Sequence, residues 1–187
     1  FRTPLTLILG PVQNLIDAAE GNKFMRDQLL HIHNNAQRLL RLINELLDFR
    51  KAETGNLKLE VAEGNLVKFI KEIKLSFDGM AEQLKIDFSF YTSSNVITAW
   101  FDRDQFEKIM FNLLSNAFKH TPENGKVSIR IIENKQDILI VVEDSGKGVK
   151  PEHFETIFQS FFSYDEDHHH TGTGIGLALT KSLVDAH

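Results

Sequence analysis

Two asparagines spaced four residues apart are the first side chains in this sequence that could do chemistry together. Asn112 and Asn116 belong to the run Asn-Leu-Leu-Ser-Asn-Ala-Phe-Lys-His, and on a helix their carboxamides share one face, with Lys119 on the same flank. Amide oxygens can enter the coordination shell of a Mg²⁺ that bridges phosphates, and an ammonium can neutralise the remaining negative charge. The run therefore predicts a phosphate-binding patch, although an ordinary polar helix face has the same residue types.

A second group of residues directly follows an apolar strand pattern. Asp144 is followed by Gly146 and Gly148, with one residue between each pair. Glycine lets the backbone approach a flat ligand without a β-carbon in the way, and a carboxylate accepts hydrogen bonds from an amine. The group suits adenine, and the alternative is a plain strand-to-loop turn, which Asp and Gly also favour.

A third group opens the last helical pattern of the chain. Gly172, Gly174 and Gly176 alternate with other residues there, and backbone amides at a helix N-terminus favour phosphate. The dinucleotide fingerprint does not fit, because Leu177 or Leu179 stands where its last small residue is required, and no P-loop motif occurs. In this order along the chain, the three groups together indicate a nucleotide site.

The elements that must position these groups begin with a helical hairpin. Two apolar stripes with alternating spacings of three and four residues are separated by Glu20-Gly21-Asn22, where the first helix should stop. Two helices of this size cannot enclose a core, so we expect a second copy of the chain to complete a four-helix bundle. The stripes are Leu5, Ile8, Val12, Leu15 and Ala19 in the first helix and Leu29, Ile32, Ala36, Leu39, Ile43 and Leu46 in the second.

After a polar break at residues 51–56, helical and strand patterns alternate. Asn65 and Asp102 are the predicted caps of two helices, the second of which should run to about Lys119 and carry the asparagines. Strand patterns occupy residues 86–90, 97–101, 127–131 and 138–142, and a last helix is expected over 175–186. We therefore predict an α+β sandwich in which helices cover one face of a mixed sheet.

Composition argues against several classes of function. The 187 residues carry 26 acidic and 21 basic side chains, and this net charge of -5 disfavours nucleic acid as a partner. No apolar run reaches the roughly 18 residues of a membrane span, so no direct membrane contact is expected from these residues. The absence of cysteine excludes thiol chemistry and favours a cytoplasmic protein.

Taken together, the motifs resemble the catalytic core of a sensor histidine kinase of two-component systems. The run Phe-Arg-Thr-Pro-Leu at residues 1–5 is similar to the end of that family's His-Glu-Phe-Arg-Thr-Pro-Leu box. Residues 112–120 resemble its N box, 144–148 its first glycine box, 158–162 its phenylalanine box and 172–176 its second glycine box. The resemblance covers nearly the whole chain.

The resemblance implies two units. Residues 1–52 would be a dimerisation and histidine-phosphotransfer hairpin, truncated at its N-terminus, and residues 53–187 would be an ATP-binding catalytic domain of the Bergerat type. The phospho-accepting His and the Glu that assists it would precede Phe1, so the chain would be a piece of a longer kinase. The implied partners are a second copy of the chain and the receiver domain of a response regulator. Members of the family are often anchored to a membrane through preceding segments.

The same resemblance assigns roles to individual residues. Asn112 and Asn116 would hold Mg²⁺, and Lys119 would contact the phosphates of ATP. Catalytic roles fall to Lys119 and to Thr3, which would position a water for dephosphorylation of the partner regulator. The other residues implied in the ATP site are His120 beside the sugar and base, Asp144 at the adenine amine, and Gly146, Gly148, Gly172, Gly174 and Gly176 around the pocket.

The expected ATP lid, residues 149–173, departs from the family in one respect. Many relatives have Arg in or just after the phenylalanine box, whereas this chain has Ser160 and Ser163. Neutralisation of phosphate would therefore rest more on Lys119 and the metal. The three consecutive histidines at 168–170 are interpreted as a solvated loop, because neighbouring residues converge on one metal ion only through a sharp turn.

Two other functions stay open at this point. ATP hydrolases of the same fold, such as gyrase and the heat-shock chaperones, place a Glu four residues before the metal-binding Asn. Here that position is Asn112, and an amide cannot accept a proton from water as a carboxylate can. The other alternative is a dimer that holds nucleotide only as a structural ligand, against which the intact motifs argue.

Overall fold

The computed structural model of the protein describes residues 2–19, 22–55, 57–160, 162 and 174–187. Within these ranges the chain forms five α-helices, five strands and two short 3₁₀ helices. The expectations for Gly172, for Phe161 and Ser163 and for the histidines at 168–170 concern residues outside the described ranges.

The N-terminal unit is a helical hairpin, as predicted. Helix α1 spans Arg2–Ala18 and helix α2 spans Lys23–Glu53, and Asn22 caps α2 by accepting a hydrogen bond from the Met25 N–H at 3.0 Å. Residues buried between the helices include Val12, Ile16 and Ala36. The predicted stripe is buried only in part, because several of its members are exposed in the single chain: Ile8, Leu15, Ile32, Leu39 and Leu46.

The second unit alternates helices and strands. Its first half consists of strand β1 (Ala62–Asn65), helix α3 (Leu66–Leu84), strand β2 (Asp87–Thr92), strand β3 (Thr98–Phe101) and helix α4 (Arg103–His120). Its second half consists of strand β4 (Lys126–Glu133), strand β5 (Ile138–Asp144), two 3₁₀ helices (Pro151–His153 and Thr156–Phe158) and helix α5 (Gly176–Ala186).

A mixed sheet, as predicted, forms the base of this unit. Strand β2 runs parallel to β4, and β4 pairs antiparallel with β5, while β1 and β3 form a separate antiparallel pair. Alternate residues of β4 are buried, because α3 and α4 cover one face of the sheet. The aromatic rings of Phe88 on β2 and Phe77 on α3 both contact Phe118 on α4, at centroid distances of 5.0 and 5.6 Å.

Two predicted helix caps are confirmed. The Asn65 side chain accepts from the Lys68 N–H, and the Asp102 carboxylate accepts from the Gln105 N–H at 3.0 Å. Asp102 is buried and its other oxygen accepts from the Glu60 N–H at 2.8 Å. Burial favours a higher pKa for the Asp102 carboxyl, but hydrogen bonds from backbone N–H groups and the nearby His187 outweigh it, so that the pKa is lowered.

The end of the hairpin packs against the second unit. Helix α2 continues to Glu53 and includes the first three residues of the predicted break, and Gly55 then turns the chain in the left-handed region at φ +67. Phe49 packs against a buried apolar cluster that joins α4 and α5, and Asp48 pairs with Lys108 of α4 at 2.7 Å. A boundary between residues 52 and 53 stays a prediction.

Among the described residues, none of the helices has both the length and the apolar character that a membrane span requires.

Candidate functional site

Helix α4 is the central element of the candidate site. Its buried side, formed by Ile109, Met110, Leu114, Ala117 and Phe118, faces the core. This packing leaves Asn112 and Asn116 half-buried on another side and Lys119 exposed near the C-terminal end. The predicted i, i+4 arrangement of the two carboxamides is therefore present on a helix whose orientation is fixed by its apolar face.

The first glycine group lies against the C-terminal end of α4. The Gly146 N–H donates to Asp144 Oδ1 at 2.8 Å, which folds the residues after β5 into a tight turn. A β-carbon on Gly146 would come closer than 3.0 Å to the carbonyl oxygen of His120 and to Asp144 Oδ1. Because one of these atoms is backbone, the turn can approach α4 this closely only with glycine at position 146.

The start of α5 packs against α4 at Asn112, which lies one turn before Asn116. Asn112 Nδ2 donates to Thr180 Oγ1 at 2.6 Å. A β-carbon on Gly176 would collide with Asn112 Oδ1. The second glycine group is therefore held against α4 by a direct contact between side chain and backbone.

The structure thus brings together most of the residues that the sequence predicted. Asn112, Asn116, Lys119 and His120 lie on α4. Gly146, whose N–H is bonded to Asp144, contacts the end of α4, and Gly176 contacts Asn112. Gly148 and Gly174 continue the two turns with φ values of +69 and +67, a backbone region that glycine adopts without strain. Thr3 is separate from this group, because it lies in the first turn of α1 in the hairpin.

The chemistry of these groups fits a nucleotide with a divalent cation. Among the described residues, the side chains of Asn116 and Lys119 have no hydrogen bond or ion pair, so a half-buried carboxamide and an ammonium are available on the same helix. Asp144 is exposed and uses Oδ1 for the Gly146 N–H, which leaves Oδ2 to accept from an amine. Carboxamide oxygen is a ligand type that Mg²⁺ accepts.

Sequence reasoning missed Thr180 and the network around Asp102. Thr180 is buried on α5 among apolar residues, and its contact with Asn112 joins residues 68 positions apart. A hydroxyl inside an otherwise apolar helical stripe was the available signal. The contact between Glu60 and Asp102 spans 42 positions and had no local signal.

Comparison with known proteins matches both units. Residues 1–55 match the family described as His Kinase A (phospho-acceptor) domain, and residues 101–187 match the family described as Histidine kinase-, DNA gyrase B-, and HSP90-like ATPase. The nucleotide-free catalytic domain of histidine kinase ThkA is 30% identical with a TM-score of 0.63, over 68% of this chain and 83% of that domain.

The chain belongs to the sensor histidine kinases of two-component systems. Among the relatives, Histidine kinase P4 of Formosa agariphila is 41% identical over the whole of this chain, which spans 14% of that relative's length. ShkA, solved at full length in complex with AMPPNP, is 26% identical with a TM-score of 0.86, over 100% of this chain and 39% of ShkA. ThkA solved in complex with the response regulator TrrA is 28% identical with a TM-score of 0.64, over 87% of this chain and 47% of that one.

The two family matches fall on different parts of the structure. The phospho-acceptor match covers the hairpin of α1 and α2. The ATPase match begins at the end of β3 and includes α4, β4, β5 and α5, the elements that carry the candidate site. The site therefore lies within the part of the chain that resembles nucleotide-binding ATPases.

Proposed function

We propose that this chain is the catalytic core of a histidine kinase that binds Mg-ATP and transfers the γ-phosphoryl group to a histidine just upstream of Phe1. The phosphoryl group would then pass to an aspartate on a response-regulator receiver domain. The observation that carries the proposal is the attachment of both glycine turns to one helix, at Gly146 and at Gly176. This attachment supports the proposal because the carboxylate proposed for adenine and the amides proposed for phosphate then belong to turns that contact the helix carrying both asparagines.

Each residue of the site has a distinct task in this proposal. Asn112 and Asn116 hold Mg²⁺ through their amide oxygens, and Lys119 binds phosphate oxygens. When bound, Mg²⁺ supplies charge neutralisation on the phosphates. The residues that bind the rest of the nucleotide are His120 near the sugar and base, Asp144 at the adenine amine, and Gly146, Gly148, Gly172, Gly174 and Gly176 in the turns.

Positioning supplies most of the catalysis in phosphoryl transfer. The attacking imidazole nitrogen must approach the γ-phosphorus in line with the leaving oxygen. We therefore propose that the ATP-binding unit moves relative to the hairpin about the residues that follow Glu53. The contact of Phe49 and the ion pair between Asp48 and Lys108 hold the arrangement seen here.

The proposed partners follow from the hairpin and from the relatives. Exposed apolar side chains such as Leu15 and Leu39 support a homodimer, since a second hairpin would cover them. ThkA was solved with a response regulator, and we propose a receiver domain as the partner of this chain, with Thr3 positioning a water for dephosphorylation. The cytoplasmic location stays a prediction.

The metal role is tested with Asn116→Ala. Loss of a half-buried carboxamide that has no described hydrogen bond should leave the fold intact and weaken ATP binding sharply in Mg²⁺ but not in EDTA. Calorimetric titration of ATP in both buffers, with circular dichroism as a fold control, makes the comparison. Equal affinity of wild type and variant in Mg²⁺ would remove Asn116 from the site.

The adenine role is tested with Asp144→Asn. An amide presents a donor where the adenine amine needs an acceptor, at a cost of about 1–3 kcal/mol. ATP affinity should fall by roughly 5- to 150-fold, while the affinity for Mg-pyrophosphate, which has no base, stays within about twofold. Equal losses for both ligands would refute the assignment.

Transfer itself is tested in a longer chain that carries the upstream His and Glu. Incubation with γ-labelled ATP should give a label on protein that is labile in acid and stable in base, which is the behaviour of phosphohistidine. ATP binding without such label would favour the nucleotide-binding dimer instead. Hydrolysis is disfavoured because Asn112, at the position of the general base, is an amide that donates to Thr180.

A further inference from the structure

A hydroxyl on α5 contacts the metal-binding face of α4. Thr180 is 6% exposed and its Oγ1 accepts a hydrogen bond from Asn112 Nδ2 at 2.6 Å. Its neighbours Ala178, Leu179 and Leu183 on α5 are buried and apolar. Thr180 therefore places a hydroxyl group among the apolar side chains that α5 buries.

This hydrogen bond sets the orientation of the Asn112 carboxamide. Because the NH₂ end donates to Thr180, the oxygen end turns toward Gly176 at the start of α5. Gly176 has no β-carbon, and the space that a β-carbon would need is the space that Asn112 Oδ1 occupies. The two contacts together define which end of the amide faces which neighbour.

Orientation matters because the two ends of a carboxamide have opposite polarity. The oxygen carries partial negative charge and can bind a cation, whereas the NH₂ group is a donor and repels one. Exchange of the two ends requires only rotation about the last side-chain bond. A hydroxyl can donate as well as accept, and in this structure the Thr180 hydroxyl accepts from the NH₂ end of Asn112. This hydrogen bond holds the orientation that leaves the oxygen for a cation.

We infer that Thr180 is a positioning residue for the magnesium site, which holds the Asn112 carboxamide with its oxygen directed to the metal. The inference rests on the proposed Mg-ATP function. It adds a residue that lies outside the three motifs and that would not itself contact metal or nucleotide. Groups that orient a metal ligand in this way commonly change metal affinity by about 10- to 100-fold.

The test compares three variants of the chain by calorimetric titration of ATP in Mg²⁺ and in EDTA. Thr180→Val keeps the shape and removes the acceptor, and Thr180→Ser keeps a hydroxyl. Ser182→Ala is the matched control, because Ser182 on the same helix donates to the Ala178 carbonyl and has no described bond to Asn112. Circular dichroism verifies the fold, and Thr180→Ala makes the same comparison if Thr180→Val does not fold.

Thr180→Val should bind ATP about 10-fold more weakly than wild type in Mg²⁺ and within about twofold of wild type in EDTA. Thr180→Ser should recover most of the loss, and Ser182→Ala should behave as wild type in both buffers. Equal weakening of Thr180→Val in both buffers would show a merely structural role and overturn the inference. Unchanged binding in both would also overturn it.

These outcomes separate the inference from the proposed function. If wild type binds ATP with a Mg²⁺-dependent gain and Thr180→Val keeps that gain, the positioning role fails while the nucleotide site stands. If wild type shows no gain from Mg²⁺, the proposed metal site fails, and the positioning role is overturned with it.

Discussion

Replacement of Gly146 by alanine perturbs the contact between α4 and the turn that follows β5. The added β-carbon would come within 3.0 Å of the His120 carbonyl oxygen and of Asp144 Oδ1, whereas ordinary contacts begin near 3.4 Å. The turn must therefore retreat by about 1 Å, at a cost of about 1–3 kcal/mol in the free energy of unfolding. Retreat also displaces the Asp144 carboxylate, which is bonded to the Gly146 N–H.

In the proposed role of Asp144 at the adenine amine, that displacement should lower the affinity for nucleotide. A hydrogen bond to a charged group contributes about 1.5–3 kcal/mol, so ATP affinity should fall by roughly 10- to 150-fold. Calorimetry measures the affinity, and thermal unfolding measures the cost to the fold, at about 2–4 °C per kcal/mol for a chain of this size. Affinity for Mg-pyrophosphate should change less than affinity for ATP.

Gly79→Ala is the matched control for this substitution. Gly79 lies in helix α3, and a β-carbon there would meet no atom within 4 Å. The change should stabilise the helix by up to about 1 kcal/mol and leave ATP binding unaltered. Wild-type ATP affinity in Gly146→Ala, at an unchanged unfolding temperature, would refute the close approach of this turn to α4.

Three further perturbations test other parts of the structure. Because the pKa of Asp102 is lowered in the fold, its carboxylate stabilises the protein at neutral pH, and this stabilisation is lost as the pH falls below about 4. The difference in urea stability between wild type and Asp102→Asn should therefore shrink from pH 7 to pH 3. A difference that stays constant with pH would contradict the assignment. Phe49→Ala should destabilise the contact between the hairpin and α5 by about 1–2 kcal/mol and increase hydrogen exchange in α5. Lys108→Ala should have a smaller effect, because its partly exposed ion pair with Asp48 contributes at most about 1 kcal/mol. Equal increases of hydrogen exchange in the two variants would contradict this ranking. Leu15→Glu should shift the chain from dimer to monomer in sedimentation, and a stable dimer would place the interface elsewhere.

Local signals predicted two helix caps and four of the five described strands, and they missed the short strand β1 (Ala62–Asn65). Asn65 and Asp102 cap their helices as expected, because a cap depends on residues within three positions. The stripe did not show which apolar residues the hairpin itself buries: Ile8 and Leu15 are exposed in the single chain, whereas Val12 and Ile16, the latter outside the predicted stripe, are buried. A heptad pattern shows which residues are apolar, whereas the partner helix decides which of them it covers.

For the site, the motifs indicated the residue types but not the contacts that join them. The pairing of Asn112 with Thr180 and the approach of Gly146 to His120 link segments that are distant in the chain. Such contacts depend on how α4, α5 and the turn after β5 pack, which periodicity along one segment does not report. The extension of α2 to Glu53 also escaped prediction, since a polar run with a glycine is equally compatible with a last helical turn.

A crystal structure of the chain with Mg²⁺ and a non-hydrolysable ATP analogue would test the nucleotide site most directly. We expect the exocyclic amine of adenine within hydrogen-bonding distance of Asp144 and the metal within coordination distance of Asn116, with phosphates beside the turn at Gly174. A nucleotide bound on another surface, or one whose base lies away from Asp144 while its metal lies away from Asn116, would contradict the account.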